Sequence, residues 1–220
     1  MKDEINKLIP KLRSYRGKHF DLGKRVIEAD DGALYPLDLL IIASLNRSVC
    51  LIKGFTSLIE QNNFISAAPL LRLQVDNCLR ISAGTLVHDP HEFAVKILEG
   101  EHVSNIKDKD GEKMRDRYLA EKLSDDYPWI MDVYQHSSGY IHLSEKHMLN
   151  AISPKKSRGK RNLELKITDE DAFISDEIYE DSIQSFLLAT DLLFRYIDGW
   201  IFTKDNPEKA AEMQRQKKQH

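Results

Sequence analysis

Arg72, Asp76 and Arg80 recur at i, i+4 and i+8 and form the chain's clearest charged ladder. At 100° per residue they span about 80° of one helix face. Leu70, Leu71, Leu73, Val75, Cys78, Leu79 and Ile81 fill most of the remaining circumference, and no Lys or Glu occurs from 61 to 91. An ordinary solvated face is wider and richer in Lys and Glu. Arginine forks match phosphate or carboxylate, so the ladder could line a pocket. It could equally be a buried ion-pair network pinning neighbouring helices, with Asp76 neutralising one arginine. Arg47 is the lone cation between Asp38 and Lys53. It precedes the Asn62-Asn63 turn signal by roughly the distance at which 76 to 80 follow it. Arg47 is therefore expected to face Asp76 or Arg80, and a salt bridge to Asp76 is the plainer outcome.

Residues 127 to 144 are the second place where chemistry could gather. Asp132 is their only formal charge, yet they hold Tyr134, His136, Ser138, Tyr140 and His142. Titratable side chains in a charge-poor, aromatic stretch are either satisfied in a core or assembled at a site. His136 and Tyr140 are i, i+4, and Ser138 and His142 share that spacing if a helix continues past Gly139. A near-neutral imidazole beside hydroxyls suits general acid–base work. The structural alternative is a histidine donating to a backbone carbonyl at a helix end. His142, just past a glycine and between Ile141 and Leu143, has the stronger functional claim.

Lys155, Lys156, Arg158, Lys160 and Arg161 put five cations into seven residues. Phosphate backbones are the obvious partner for such a patch, although a solvated loop that binds nothing is as good a reading. Without interleaved aromatics, base-specific RNA reading is not expected. The His88-Asp89-Pro90-His91-Glu92 stretch offers metal-ligand types in a helix-breaking loop. A helix cap on Asp89 is the better reading, and no metal or cofactor is expected. The HExxH, P-loop, GxSxG and GxGxxG patterns are absent.

The elements that must position these residues follow from periodicity. A helix over 3–16 is expected to be interrupted or bent at Pro10, followed by a linker through Gly17, Gly23 and Asp30-Asp31-Gly32. Long apolar helices are expected over 36–61 and 65–87, forming an antiparallel hairpin about Asn62-Asn63. Further helices are expected over 93–106, 114–123, 127–139 and 176–202. Residues 146–167 read as a β-hairpin with a basic tip, because Leu163, Leu165 and Ile167 alternate with polar residues. Residues 206–220, poor in apolar side chains, read as a flexible tail.

The expected fold class is therefore all-α: one domain over 1–205, a bundle of six or seven helices around a long helical hairpin, with one small β-hairpin insertion. The chain has 220 residues, is 41% hydrophobic and 30% charged, and carries a net charge of −3. That charge gives no global argument for nucleic acid or an anionic membrane, so either partner would need a local basic patch. No uncharged run reaches about 18 apolar residues, so no membrane partner is expected. An acidic start without an apolar run argues against a signal peptide. Cys50 and Cys78 lie in apolar helical patterns without CxxC spacing and read as buried thiols. The cytoplasm is the default location.

Leu71-Arg72-Leu73-Gln74-Val75-Asp76, taken with Ser138-Gly139-Tyr140-Ile141-His142-Leu143-Ser144, resembles a family of uncharacterised bacterial helical domains. That family pairs an Arg-x3-Glu/Asp helix with a Tyr/Ser-rich segment ending in His. The resemblance covers roughly 40–200 and implies a helical fold with a shared polar site at Arg72, Asp76 and His142. A looser similarity is to HEPN helical domains, many of which are ribonucleases of toxin and phage-defence systems. Their signature is Arg followed four to six residues later by His. Arg13 and His19 have that spacing, near the N-terminus. A HEPN-like activity on the later segments would need Arg72 or Arg80 to meet His142 through the fold.

Two functions remain open. One is a metal-independent RNA-acting effector, with His142 as acid or base, Arg72 and Arg80 stabilising phosphate charge, and the basic tip gripping RNA. The other is a non-catalytic binding module whose polar pocket holds a small anion or meets a protein partner. A homodimer is compatible with both.

Overall fold

The computed structural model describes residues 2–157 and 160–217. It is 74% helical, and its one sheet among those residues is a two-stranded antiparallel pair. The class is all-α with a small β-hairpin insertion.

Helix α1, Lys2–Glu28, passes through Pro10, Gly17 and Gly23 without interruption. The chain is thus not interrupted at Pro10, and the expected linker at Gly17 and Gly23 is corrected to helix; the break at Asp30-Asp31-Gly32 stands, as a 3-10 turn with Asp30 and Asp31 at φ 54° and 52°. Leu8, Leu12, Tyr15, His19, Leu22 and Val26 are all buried, at alternating spacings of four and three. That stripe overrides the local breakers: an interior proline costs about 3 kcal/mol, while each buried leucine or valine returns about 1.5–3 kcal/mol.

Helices α2, Pro36–Glu60, and α3, Phe64–Ala83, fall close to their expected bounds. Pro36 starts α2, where its missing N–H costs nothing. Asn62, at φ 51°, makes the left-handed turn between the helices. Two local contacts carry one antiparallel register. Gly54 faces Leu70, whose Cδ1 would lie 3.1 Å from an added Cβ, and Arg47 bonds Asn77. Both pairs are centred on position 62. By length and composition α2 could cross a bilayer; a little under half of its most apolar stretch is buried, Ile41 and Phe55 fully so.

Helix α4, Pro90–Leu98, starts on the Asp89 cap, whose carboxylate accepts from the amides of His91 and Glu92 at 2.8 and 3.1 Å. The helix expected to reach 106 stops early. Gly100, at φ 93°, turns the chain, and Val103–Asn105 is one 3-10 turn. Helices α5, Asp116–Ser124, and α6, Trp129–Ser138, follow.

The hairpin is shorter than expected. Residues 146–151, expected as part of the hairpin, instead belong to helix α7, Glu145–Ala151. Ser144 caps it, and His147 completes a capping box in the place usually held by Glu or Gln. Strand β1, Ile152–Ser157, pairs with β2, Lys160–Leu165, placing Ile152 opposite Leu165 and Pro154 opposite Leu163. Helix α8 is Asp176–Asp205, and α9, Pro207–Lys217, occupies most of the expected tail. Helices α7 and α9 bring the described α-helices to nine.

The contacts divide the chain into two compact units. The first holds residues 1–14, 50–76 and 120–189; the second holds 15–49, 77–119 and 190–220. In the first, Phe55 packs against Phe186 with ring centroids 4.6 Å apart, beside buried Leu71, Ile130 and Ile183. The second is built on Ile41, Leu79, Phe93, Met114, Leu193 and Ile197, all nearly or fully buried. Cys78 belongs to that core, whereas Cys50 is exposed, contrary to the apolar pattern around it.

Candidate functional site

In the first unit, α3 meets α6 through the two segments singled out by sequence. The Arg72 guanidinium lies 4.3 Å from the Tyr134 ring centroid, and Arg72 is only 8% exposed. This is a buried cation–π contact. Asp76 is half-buried, and neither it nor Arg72 lacks a polar or ring partner. Along the end of α6 the serines return to the backbone: Ser137 donates to Val133 O and Ser138 to Tyr134 O, each at 2.6 Å. The exposed His136 donates Nδ1–H to the Asp132 carbonyl, 3.0 Å away. That is the backbone-satisfied histidine anticipated as the structural alternative.

Past α6 the chain turns on Gly139. A Cβ there would meet Cε and Cδ of Lys146 at 3.0 and 3.1 Å, so the lysine stem crosses the glycine. Lys146 Nζ donates to His136 O at 2.8 Å and lies 4.9 Å from the Tyr140 ring centroid. Partial burial lowers its pKa. Ser144 Oγ donates to Gly139 O, and the Ser144 amide donates to His147 Nδ1. His142 sits exposed in this turn.

In the same unit, Asp171 joins three elements. It accepts from the Phe64 amide at 2.6 Å, from the Tyr179 hydroxyl, and weakly from Asn150 Nδ2 at 3.4 Å. Its own amide donates to Asn62 O. Burial, then the bond to Asp171, raises the Tyr179 pKa. Tyr140 packs edge-on to Phe64, and burial raises its pKa as well. Sequence reading missed this hub because Asp171 lies in an irregular stretch with no periodic signal.

In the second unit, Arg47 Nη1 donates to Asn77 Oδ1 at 2.8 Å, beside the two positions expected to face it. Arg80 pairs with Asp116 at 2.5 Å. That pair lines a cavity of about 270 Å³ with Leu40, Ile97, Glu101, His102, Val103 and Ser104. Two carboxylates against one guanidinium do not favour an anion there. His19 is 2% exposed; its Nδ1–H donates to Tyr15 O and its Nε2 accepts from Ser48 Oγ, both at 2.8 Å. Burial lowers its pKa. Arg13 belongs to the first unit and binds Glu60 and Thr56. Both residues of the N-terminal Arg-x5-His spacing thus have structural partners.

The second unit also holds an ion pair that sequence reading missed. Lys204 and Asp38 have side chains at 0% exposure, 3.0 Å apart. Lys204 also donates to Val26 O and Ala33 O, while Asp38 accepts from Trp200 Nε1 and the Tyr35 amide. Every lysine proton has an acceptor, so the pair reads as structural.

The basic patch lies on the hairpin. Lys155 and Lys156 are on β1 and Lys160 and Arg161 on β2, while Arg158 lies outside the described residues. Over 141–167 the chain exposes Ile141 at 45%, Leu143 at 88%, Met148 at 58%, Leu149 at 63%, Leu163 at 67%, Leu165 at 68% and Ile167 at 106%. The alternation that predicted a half-buried strand thus carries an apolar face left in solvent. Comparison with protein-family models, characterised proteins and solved structures finds no match. The functional reading therefore rests on geometry.

Proposed function

We propose that the chain is a non-catalytic binding module whose working surface is the 141–167 segment of the first unit. The observation that carries this is the set of seven exposed apolar side chains in the same stretch of chain as the cationic strands. Contiguous exposed apolar surface on a soluble fold marks interaction more often than catalysis. The arginines a ribonuclease would use already have partners: Arg72 is buried against Tyr134, and Arg80 is paired with Asp116.

A metal-independent RNA-acting effector is the second reading, favoured by one observation. His142 is solvent-exposed and shares a unit with Arg72. Incubation with single-stranded and structured RNA separates the two. The module reading expects intact RNA with wild type and with His142→Ala alike. Cleavage by wild type that is lost in His142→Ala, at an unchanged melting midpoint, overturns it.

A further inference from the structure

We propose that the α7–hairpin segment is a peripheral docking surface for an anionic lipid bilayer, an inference that rests on the binding-module reading. The first support is charge. Residues 145–167 carry seven Lys or Arg against two Glu, in a chain whose net charge is −3. This is a strong local reversal of sign, and it complements an anionic surface. The second support is the apolar face. Leu163 and Leu165 are two residues apart on β2 and share one side of the strand, with Pro154 and Ile152 directly opposite. The Lys166 amide donates to Ala151 O at 2.9 Å, closing the hairpin base onto α7, which presents Met148 and Leu149.

The side-chain types choose among partners. Residues 141–167 contain no Phe, Tyr or Trp. RNA would use the cations, but it has little use for exposed leucines and wants aromatic faces for its bases. Protein interfaces are enriched in aromatics and depleted in lysine, the reverse of this segment. A second copy would bring two strongly cationic segments together. A bilayer uses both features at once: lysines at anionic headgroups, aliphatic side chains at the acyl boundary. The expectation of no membrane partner concerned a spanning helix, which a surface contact does not require.

The test is co-sedimentation of the full chain with vesicles of phosphatidylcholine and phosphatidylserine in a two-to-one ratio, and with phosphatidylcholine vesicles alone. Binding is expected only to the anionic vesicles and is expected to fall at about 1 M salt. Each basic residue at the surface contributes about fivefold, so Lys155, Lys156, Lys160 and Arg161 changed together to Gln lose on the order of a hundredfold or more. Leu163→Ser and Leu165→Ser lose about tenfold each. Their exposure means that the melting midpoint stays put, which circular dichroism checks in parallel.

No binding to anionic vesicles overturns the proposal, as does binding indifferent to both sets of variants. RNA binding that needs the cations but not the leucines, without vesicle binding, overturns it in favour of RNA. So does a dimer lost in Leu163→Ser, in favour of self-association. Those two results leave the module reading standing. RNA cleavage that depends on His142 is the outcome that removes that reading instead.

Discussion

Replacing Lys204 with Met should unfold the second unit far more readily than its single-residue scale implies. Lys204 and Asp38 are both shut off from solvent, 3.0 Å apart. Methionine fills the lysine stem's volume, so lost packing is small. What remains is a buried carboxylate without its cation, at a cost of about 3–5 kcal/mol. The carbonyls of Val26 and Ala33, held by Lys204 at 2.8 and 2.9 Å, lose their donor as well. For a chain of this size each kcal/mol moves the midpoint by about 2–4 °C, so a fall of roughly 6–20 °C is expected. Thermal unfolding followed by circular dichroism reads it. Removing both charges, in Lys204→Met with Asp38→Asn, should restore part of the loss, because no uncompensated charge is left. Trp200 Nε1 keeps an acceptor in the asparagine oxygen. The double-mutant cycle should show a coupling of about 1 kcal/mol or more. A shift below about 2 °C for Lys204→Met, or strict additivity in the cycle, refutes the reasoning.

Two further outcomes follow from single residues. His19 is buried neutral with its pKa held below 6.5 by burial, so acid favours the unfolded chain, which binds the proton the folded chain refuses. Stability should be full above pH 6.5 and should fall below it by up to about 1.4 kcal/mol per unit, a slope that urea titrations should find flatter in His19→Gln. Gly17→Ala should stabilise the chain by about 0.5–1 kcal/mol, because an added Cβ meets nothing within 4 Å on an intact helix; a lowered urea midpoint would contradict the continuity of α1 there.

Much of the fold was legible in the sequence because it rests on local periodicity. Leucine and isoleucine spacing placed α2, α3 and α8 within a few residues, and Asp89-Pro90 announced the cap of α4. Alternation over 162–167 found β2. Local signals misled where tertiary burial outweighed them. Pro10, Gly17 and Gly23 read as breaks, yet a buried stripe from Leu8 to Val26 holds α1 together. His147 lacks the carboxamide or carboxylate that marks a capping box, so the sequence carries no such signal for the start of α7.

The candidate residues divide in the same way. Composition alone determined the charge ladder at 72, 76 and 80, the charge-poor stretch from 127 to 144, and the cationic strands. Only the tertiary structure assigned their partners: Tyr134 to Arg72, Asn77 to Arg47 and Asp116 to Arg80. Asp38 and Lys204 stand 166 residues apart, and Asp171 reaches Phe64 across 107. A hydrogen bond depends on distance in space, and a one-dimensional pattern records only distance along the chain. Exposure is decided the same way. Leu163, Leu165 and Ile167 carry the pattern of a half-buried face, yet the structure leaves them exposed, and whether a patterned face is covered is decided only in three dimensions.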